Sequence, residues 1–176
     1  GSDLTERLWP ELVTQQRPTF AVTPSVEVAE RLAVQHVKFT SLVAPMIPAE
    51  SGSLIDRFAW ECIEAMSKMD ELPEFVFLGI GFPKDPLLGR SIIDQWPAEL
   101  GPAPMVIAVG ASLEFVTGLK QRAPEVFQRY GMEWVHRMAS EPRRMIKRYF
   151  FRDARFLLIL VRHLLRTPLV RAFRQR

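Results

Sequence analysis

Strand and helix signals alternate along this chain. That alternation predicts an α/β fold, a parallel sheet flanked by helices, followed by a basic helical C-terminal appendage. Three observations carry the prediction. Residues 74–78 (EFVFL) and 105–109 (MVIAV) are short apolar runs closed by Gly79 and Gly110, the pattern of strands buried on both faces. Stretches with helical spacing of apolar residues separate the strand candidates. Charge is divided rather than spread: from Arg143 onward there are eleven Lys or Arg and one acid, Asp153, whereas the rest of the chain has 12 basic and 19 acidic residues. The net charge of +3 is thus a +10 tail on a −7 body. The tail, not the body, seeks an anionic partner.

The elements follow in order. Ser2 or Asp3 caps a helix to about residue 16, with Leu4, Leu8, Leu12 and Val13 on one face, and Arg17-Pro18 ends it. Residues 19–22 are short and rich in strand formers. Pro24 opens a helix with Val26, Val28, Ala29, Leu32 and Ala33 inward, and residues 38–43 read as a second strand. After a loop with two prolines, residues 53–70 form a long helix with Ile55, Phe58, Ala59, Cys62, Met66 and Met69 on one face. The two apolar strands come next, with a helix over 85–95 between them. Both are too apolar for the edge of a sheet, so they are expected to be adjacent, parallel and buried. Arg122-Ala-Pro124 breaks the chain, so the body spans 1–121 and the appendage 122–176.

Composition excludes several classes. At 48% hydrophobic the chain is globular rather than disordered, and 176 residues suffice for one domain with a core. Cys62 is the only cysteine, so no intramolecular disulfide or thiolate metal cluster can form, and its apolar neighbours make it a buried, inert thiol. His36, His136 and His163 have no metal-ligand spacing. No secretory signal is recognisable, and no apolar run approaches the roughly 20 residues that span a bilayer. In the tail, Arg148, Arg152, Arg155, Arg162 and Arg166 fall near one helical face, with Phe156, Leu157, Leu158, Leu160, Val161, Leu164 and Leu165 over the rest. An arginine stripe beside a broad apolar face suits a helix lying in a membrane interface. Packing on the body or a contact in a homo-oligomer would use the same face. Nucleic acid is a weaker reading, because the apolar residues exceed what phosphate binding needs.

Three loops fall at the carboxyl ends of predicted parallel strands, where open α/β sheets bind ligands: residues 22–25, 79–85 and 110–114. A glycine after a strand lets backbone N–H groups approach a phosphate, but it serves an ordinary tight turn equally well. Gly79 and Gly81 lack the third glycine of a dinucleotide fingerprint, since position 84 is lysine. Lys84 suits a diphosphate. Asp85 and Glu114 suit nucleoside hydroxyls or a base role, and equally the first turn of a helix. Transfer without a metal needs positive charge at the leaving group, which Arg137, Arg143, Arg144 and Arg148 can supply.

A series of motifs then carries a resemblance. Gly1-Ser2-Asp3-Leu4 stands first. Phe77-Leu-Gly79-Ile-Gly81-Phe-Pro83-Lys84 follows, then Val109-Gly110 through Gly118, Arg122-Ala-Pro124, Gly131-Met-Glu133-Trp134-Val-His136-Arg137 and Glu141-Pro142-Arg143-Arg144. In type and order these resemble the WecG/TagA/CpsF glycosyltransferases of bacterial envelope polysaccharide synthesis, over nearly the whole chain. The resemblance implies a Rossmann-like fold and a hexosyltransferase-type activity. It implies a UDP-sugar donor, a polyprenyl-diphosphate-linked acceptor, and no required metal or other cofactor. The work would be done peripherally at the cytoplasmic face of the membrane.

Under that reading Gly79, Gly81, Lys84, Asp85, Gly110 and Glu114 line the donor, and Arg137, Arg143 and Arg144 meet its diphosphate. Arg152, Arg155, Arg162 and Arg166 meet the membrane. The family carries roughly a hundred residues ahead of the G-S-D-L motif, with the proposed catalytic base among them, so this chain looks like the C-terminal portion of a longer protein. The family's P-K-Q-E is Pro83-Lys84-Asp85-Pro86 here, its aspartate is Glu114, and its early G-G is Thr23-Pro24. The rival reading is a non-catalytic nucleotide-sugar-binding or membrane-associated scaffold subunit derived from the same family.

Overall fold

The computed structural model describes residues 2–48, 50–120 and 124. The chain divides into two compact units, Gly1–Gln121 and Arg122–Arg176. All tail residues singled out above, from Arg137 to Arg166, lie outside the described residues.

Among the described residues four strands form one sheet: β1 (Thr19–Thr23), β2 (Phe39–Val43), β3 (Phe75–Leu78) and β4 (Met105–Ala108). Their spatial order is β2-β1-β3-β4, and every pairing is parallel. Parallel neighbours need crossovers, and helices supply them. These are α2 (Val26–Gln35), α3 (Gly52–Ser67) and α4 (Lys84–Asp94); α1 (Ser2–Gln15) precedes the sheet and the single-turn α5 (Ser112–Val116) follows it.

Side chains alternate between the two faces of a strand, and two cores result. Phe20, Val22, Val76 and Leu78 pack with Ile55, Phe58, Cys62, Ile63 and Met66 of α3 and Leu88 and Ile92 of α4. Ala21 and Phe77 pack on the other face with Trp9 and Leu12 of α1, Val28 and Leu32 of α2, and Leu113 of α5. Gly89 allows α4 to lie close to the sheet: a Cβ there would stand 3.1 Å from Val106 Cγ1 and 3.2 Å from Leu78 Cδ1. Cys62 is buried, and desolvation, with Glu61 adding, pushes its thiol up to about 12, so it is inert as expected.

Several inward positions differ from the expectation. In α1 the buried line is Thr5, Trp9 and Leu12, while Leu4 is 53% exposed. Trp9 sets that rotation, because its ring meets Phe39, Phe77 and His36 edge-on. In α2 only Val28 and Leu32 are buried; Val26 lies in the first turn and is exposed, as is Ala33. His36 caps the C-terminal end of α2 inside this cluster. Burial lowers its pKa, the Arg17 backbone opposing, so the ring is kept neutral.

Adjacency and parallel pairing of β3 and β4 hold, but full burial of β4 does not. Among the described residues β4 has one neighbour, with Met105 61% exposed and Ala108 exposed. Val106 and Ile107 are partly buried against the two cores. An apolar run reports that the faces are covered; it does not report whether another strand pairs along the flank.

Candidate functional site

The order β2-β1-β3-β4 reverses direction at β1. The chain steps from β1 to β2 on one side, then crosses back to β3 on the other. Open α/β sheets bind ligands at such a point, beyond the carboxyl ends of the strands, here β1 and β3. The loops that follow β1, β3 and β4 meet at this edge: Gly79 N–H donates to Val22 O at 2.9 Å, and Gly110 N–H to Leu78 O at 3.1 Å. The structure thus brings Gly79, Gly81, Lys84, Asp85, Gly110 and Glu114 to one edge of the sheet.

Each glycine has its own reason. Gly79 sits where a Cβ would stand 2.6 Å from Leu113 Cδ1, so it makes room for α5. Gly81 and Gly110 have φ of +87° and +55°, the left-handed region that favours glycine. At Gly81 the chain turns into α4, its carbonyl accepting from the N–H groups of Lys84 and Asp85 at 3.0 and 3.1 Å.

Asp85 binds these loops together. It is 3% exposed. Its Oδ1 accepts from Ile80 N–H and Gly81 N–H, both at 2.9 Å, and its Oδ2 accepts from Gly110 N–H at 3.0 Å. Three convergent N–H groups form a nest of the kind that holds an anion, and here the chain's own carboxylate fills it. Desolvation raises the Asp85 pKa, opposed by the N–H groups of Ile80, Gly110 and Gly81 and by Lys84. Position 85 requires an acceptor toward both loops. A carboxylate provides that, whereas an amide would turn its NH₂ toward one of the donors.

The other candidates are more accessible. Glu114 is partly buried and receives Lys120 Nζ at 3.0 Å. Lys84, the first residue of α4, is partly exposed. In the loop after β1, the Ser25 hydroxyl accepts from Val28 N–H at 3.4 Å and so caps α2. Among the described residues, no three His, Cys, Asp or Glu side chains come together as a metal would require. No helix among them is long and apolar enough to cross a membrane.

Phe82, quoted above only as part of a motif, is 77% exposed on the loop after β3. An aromatic between Gly81 and Pro83, outside any periodic pattern, is the signal that would have singled it out. A hollow of about 630 Å³ lies elsewhere, between α3 and α4, lined by residues including Glu50, Ile55, Asp56, Arg90, Ser91 and Gln95. Several of its polar groups already pair internally: Ser91 Oγ donates to Asp56 Oδ1 at 2.6 Å, and Gln95 Nε2 to Ser91 Oγ at 2.7 Å. The edge with the convergent loops is therefore the stronger site.

No solved structure matches the chain. Two similar proteins, from Staphylococcus aureus strains MRSA252 and MW2, carry the name N-acetylglucosaminyldiphosphoundecaprenol N-acetyl-beta-D-mannosaminyltransferase. The first is 32% identical over 84 residues, 47% of this chain and 31% of the relative. The second is 32% identical over 73 residues, 42% of this chain and 27% of the relative. The matches thus span about a third of the length of these relatives. The model of the glycosyl transferase WecG/TagA/CpsF family matches residues 1–169, and the chain belongs to that family.

Proposed function

We propose that this chain is the donor-binding part of a glycosyltransferase that moves a sugar from a UDP-sugar to a polyprenyl-diphosphate-linked acceptor. The carrying observation is the gathering of Gly79, Gly81, Lys84, Asp85, Gly110 and Glu114 at the switch point of the sheet, in a chain whose family match covers residues 1–169. In the transfer an acceptor hydroxyl attacks the anomeric carbon. The bond from that carbon to the donor diphosphate breaks, UDP leaves, and the hydroxyl proton passes to a base. Lys84, Arg137, Arg143 and Arg144 offset the charge that develops on the diphosphate. Asp85 holds the loops in place, and Glu114 accepts hydrogen bonds from the nucleoside. The names of the Staphylococcus relatives support an acceptor built on diphosphoundecaprenol.

Titration of UDP into the intact natural protein tests the donor. Glu114→Ala should weaken UDP by about tenfold or more, the loss of a charge-assisted hydrogen bond worth about 1.5–3 kcal/mol. Glu114→Gln should recover part of it. Unchanged affinity in Glu114→Ala removes this residue from the site, and no UDP binding by the wild type ends the donor reading. One observation favours a second reading, a non-catalytic scaffold: the nest that could hold a phosphate is filled by Asp85. Hydrolysis of a UDP-sugar by the intact protein would reject it.

The +10 tail completes the proposal. Arg152, Arg155, Arg162 and Arg166 meet an anionic membrane surface at the cytoplasmic face, each arginine contributing on the order of 1 kcal/mol, screened by salt. The protein should float with anionic vesicles at low salt, and deleting residues 167–176 should weaken that binding while largely sparing UDP binding. Failure to float makes the tail a packing or oligomer element.

A further inference from the structure

The geometry points to Phe82 as the platform on which the nucleobase of the donor stacks, an inference that rests on the donor reading above. The loop after β3 reaches the switch point with most of its N–H groups already committed. Those of Ile80 and Gly81 donate to Asp85 Oδ1, and that of Gly110, from the neighbouring loop, to Asp85 Oδ2. A phosphate would have to displace a buried carboxylate from all three, and the two anions would repel.

The side chains this loop offers a ligand are the aromatic ring of Phe82 and, two residues on, the ammonium of Lys84. Phe82 is 77% exposed, although a phenyl ring gains when it leaves water. Its neighbours fix where it stands. Gly81 turns the chain at φ +87°, and Asp85 grips the two residues before Phe82. The ring is therefore presented from an anchored turn and needs little ordering when a ligand arrives. A flat, neutral heterocycle suits an exposed aromatic ring, and stacking on it tolerates any base. The loop after β3 thus takes the uncharged end of the nucleotide, leaving the diphosphate to Lys84 and the arginines.

The test compares uridine, UDP and inorganic pyrophosphate as titrants of the intact natural protein and of Phe82→Ala, Phe82→Leu and Phe82→Trp. Phe82→Ala should weaken uridine and UDP by on the order of tenfold, the usual loss of one stacked base, and leave pyrophosphate unchanged. Phe82→Leu keeps apolar bulk without a flat face and should behave like alanine. Phe82→Trp should restore affinity, and its indole fluorescence should respond to uridine. Equal uridine affinity in Phe82→Ala and wild type overturns the assignment while leaving the donor reading intact. Full affinity in Phe82→Leu also overturns it, since simple apolar contact would then suffice. A loss of pyrophosphate binding equal to the loss of uridine overturns it as well, because the substitution would have disturbed the loop. A wild-type protein that binds no UDP overturns the donor reading and this assignment together.

Discussion

Asp85→Ala should destabilise the protein by about 2 kcal/mol and loosen both glycine loops. Three N–H groups lose their acceptor, and each buried donor left unmade costs about 1–3 kcal/mol. The net loss is smaller than their sum for two reasons. Ile80, Gly81 and Gly110 are only partly buried, so water reaches some of these groups. The variant also no longer pays to bury a charge, the cost that raises the carboxyl pKa above its ordinary 3.8.

That shift fixes the pH dependence. A carboxyl with a raised folded pKa keeps its proton in the folded state where the unfolded chain has lost it. Its proton-linked stabilisation is therefore fully present below 3.8 and is lost as pH rises through the folded value. Urea unfolding of wild type and variant at several pH values reads both quantities. The variant should unfold at lower urea and lack this segment of the pH dependence. An unchanged midpoint would mean that packing alone holds the loops.

Phe77→Ala should cost more, about 3–5 kcal/mol, the usual result of removing a fully buried phenyl ring. Phe77 is inaccessible in β3, between β1 and β4, and meets Trp9 edge-on at 6.0 Å and 77°. The cavity would open beneath α1, against a total stability of about 5–15 kcal/mol for a typical domain. Circular dichroism during urea unfolding measures it. A loss below about 1 kcal/mol would show that Trp9 and Leu113 close the gap.

Periodicity made the elements legible. In α3 every residue read as inward, from Ile55 to Met66, is buried, and Met69 just beyond the helix is partly so. Strand order was not legible, because an apolar pattern encodes which faces are covered and not which strand lies beside which. Residues 19–22 gave a weaker signal than the two apolar runs, yet β1 takes the most enclosed place, all five residues of Thr19–Thr23 buried. The more apolar β4 takes a position with one neighbour among the described residues. The loops after β3 and β4 were legible as glycine after strand, and residues 22–25 as the break before the helix that Pro24 opens. The part played by Asp85 was not, since its partner Gly110 comes 25 positions later and meets it only because β3 and β4 are adjacent. Trp9 was not legible as an anchor: Leu4, Leu8 and Leu12 keep a spacing of four, whereas the buried line steps from Thr5 to Trp9 to Leu12.

Because every ladder in the sheet is parallel, no strand meets its neighbour through a hairpin. Thr19 must find Phe39 on one side, past one helix, and Phe75 on the other, past two helices and a strand. Loop closure has to come before any strand pair is rewarded, which makes such topologies slow to form. During synthesis, β1 cannot be flanked on both sides until β3 has emerged from the ribosome. For that interval Phe20 and Val22 stand on an unfinished edge, open to the strands of other nascent chains. The order in which the strands appear therefore sets how long that edge stays open.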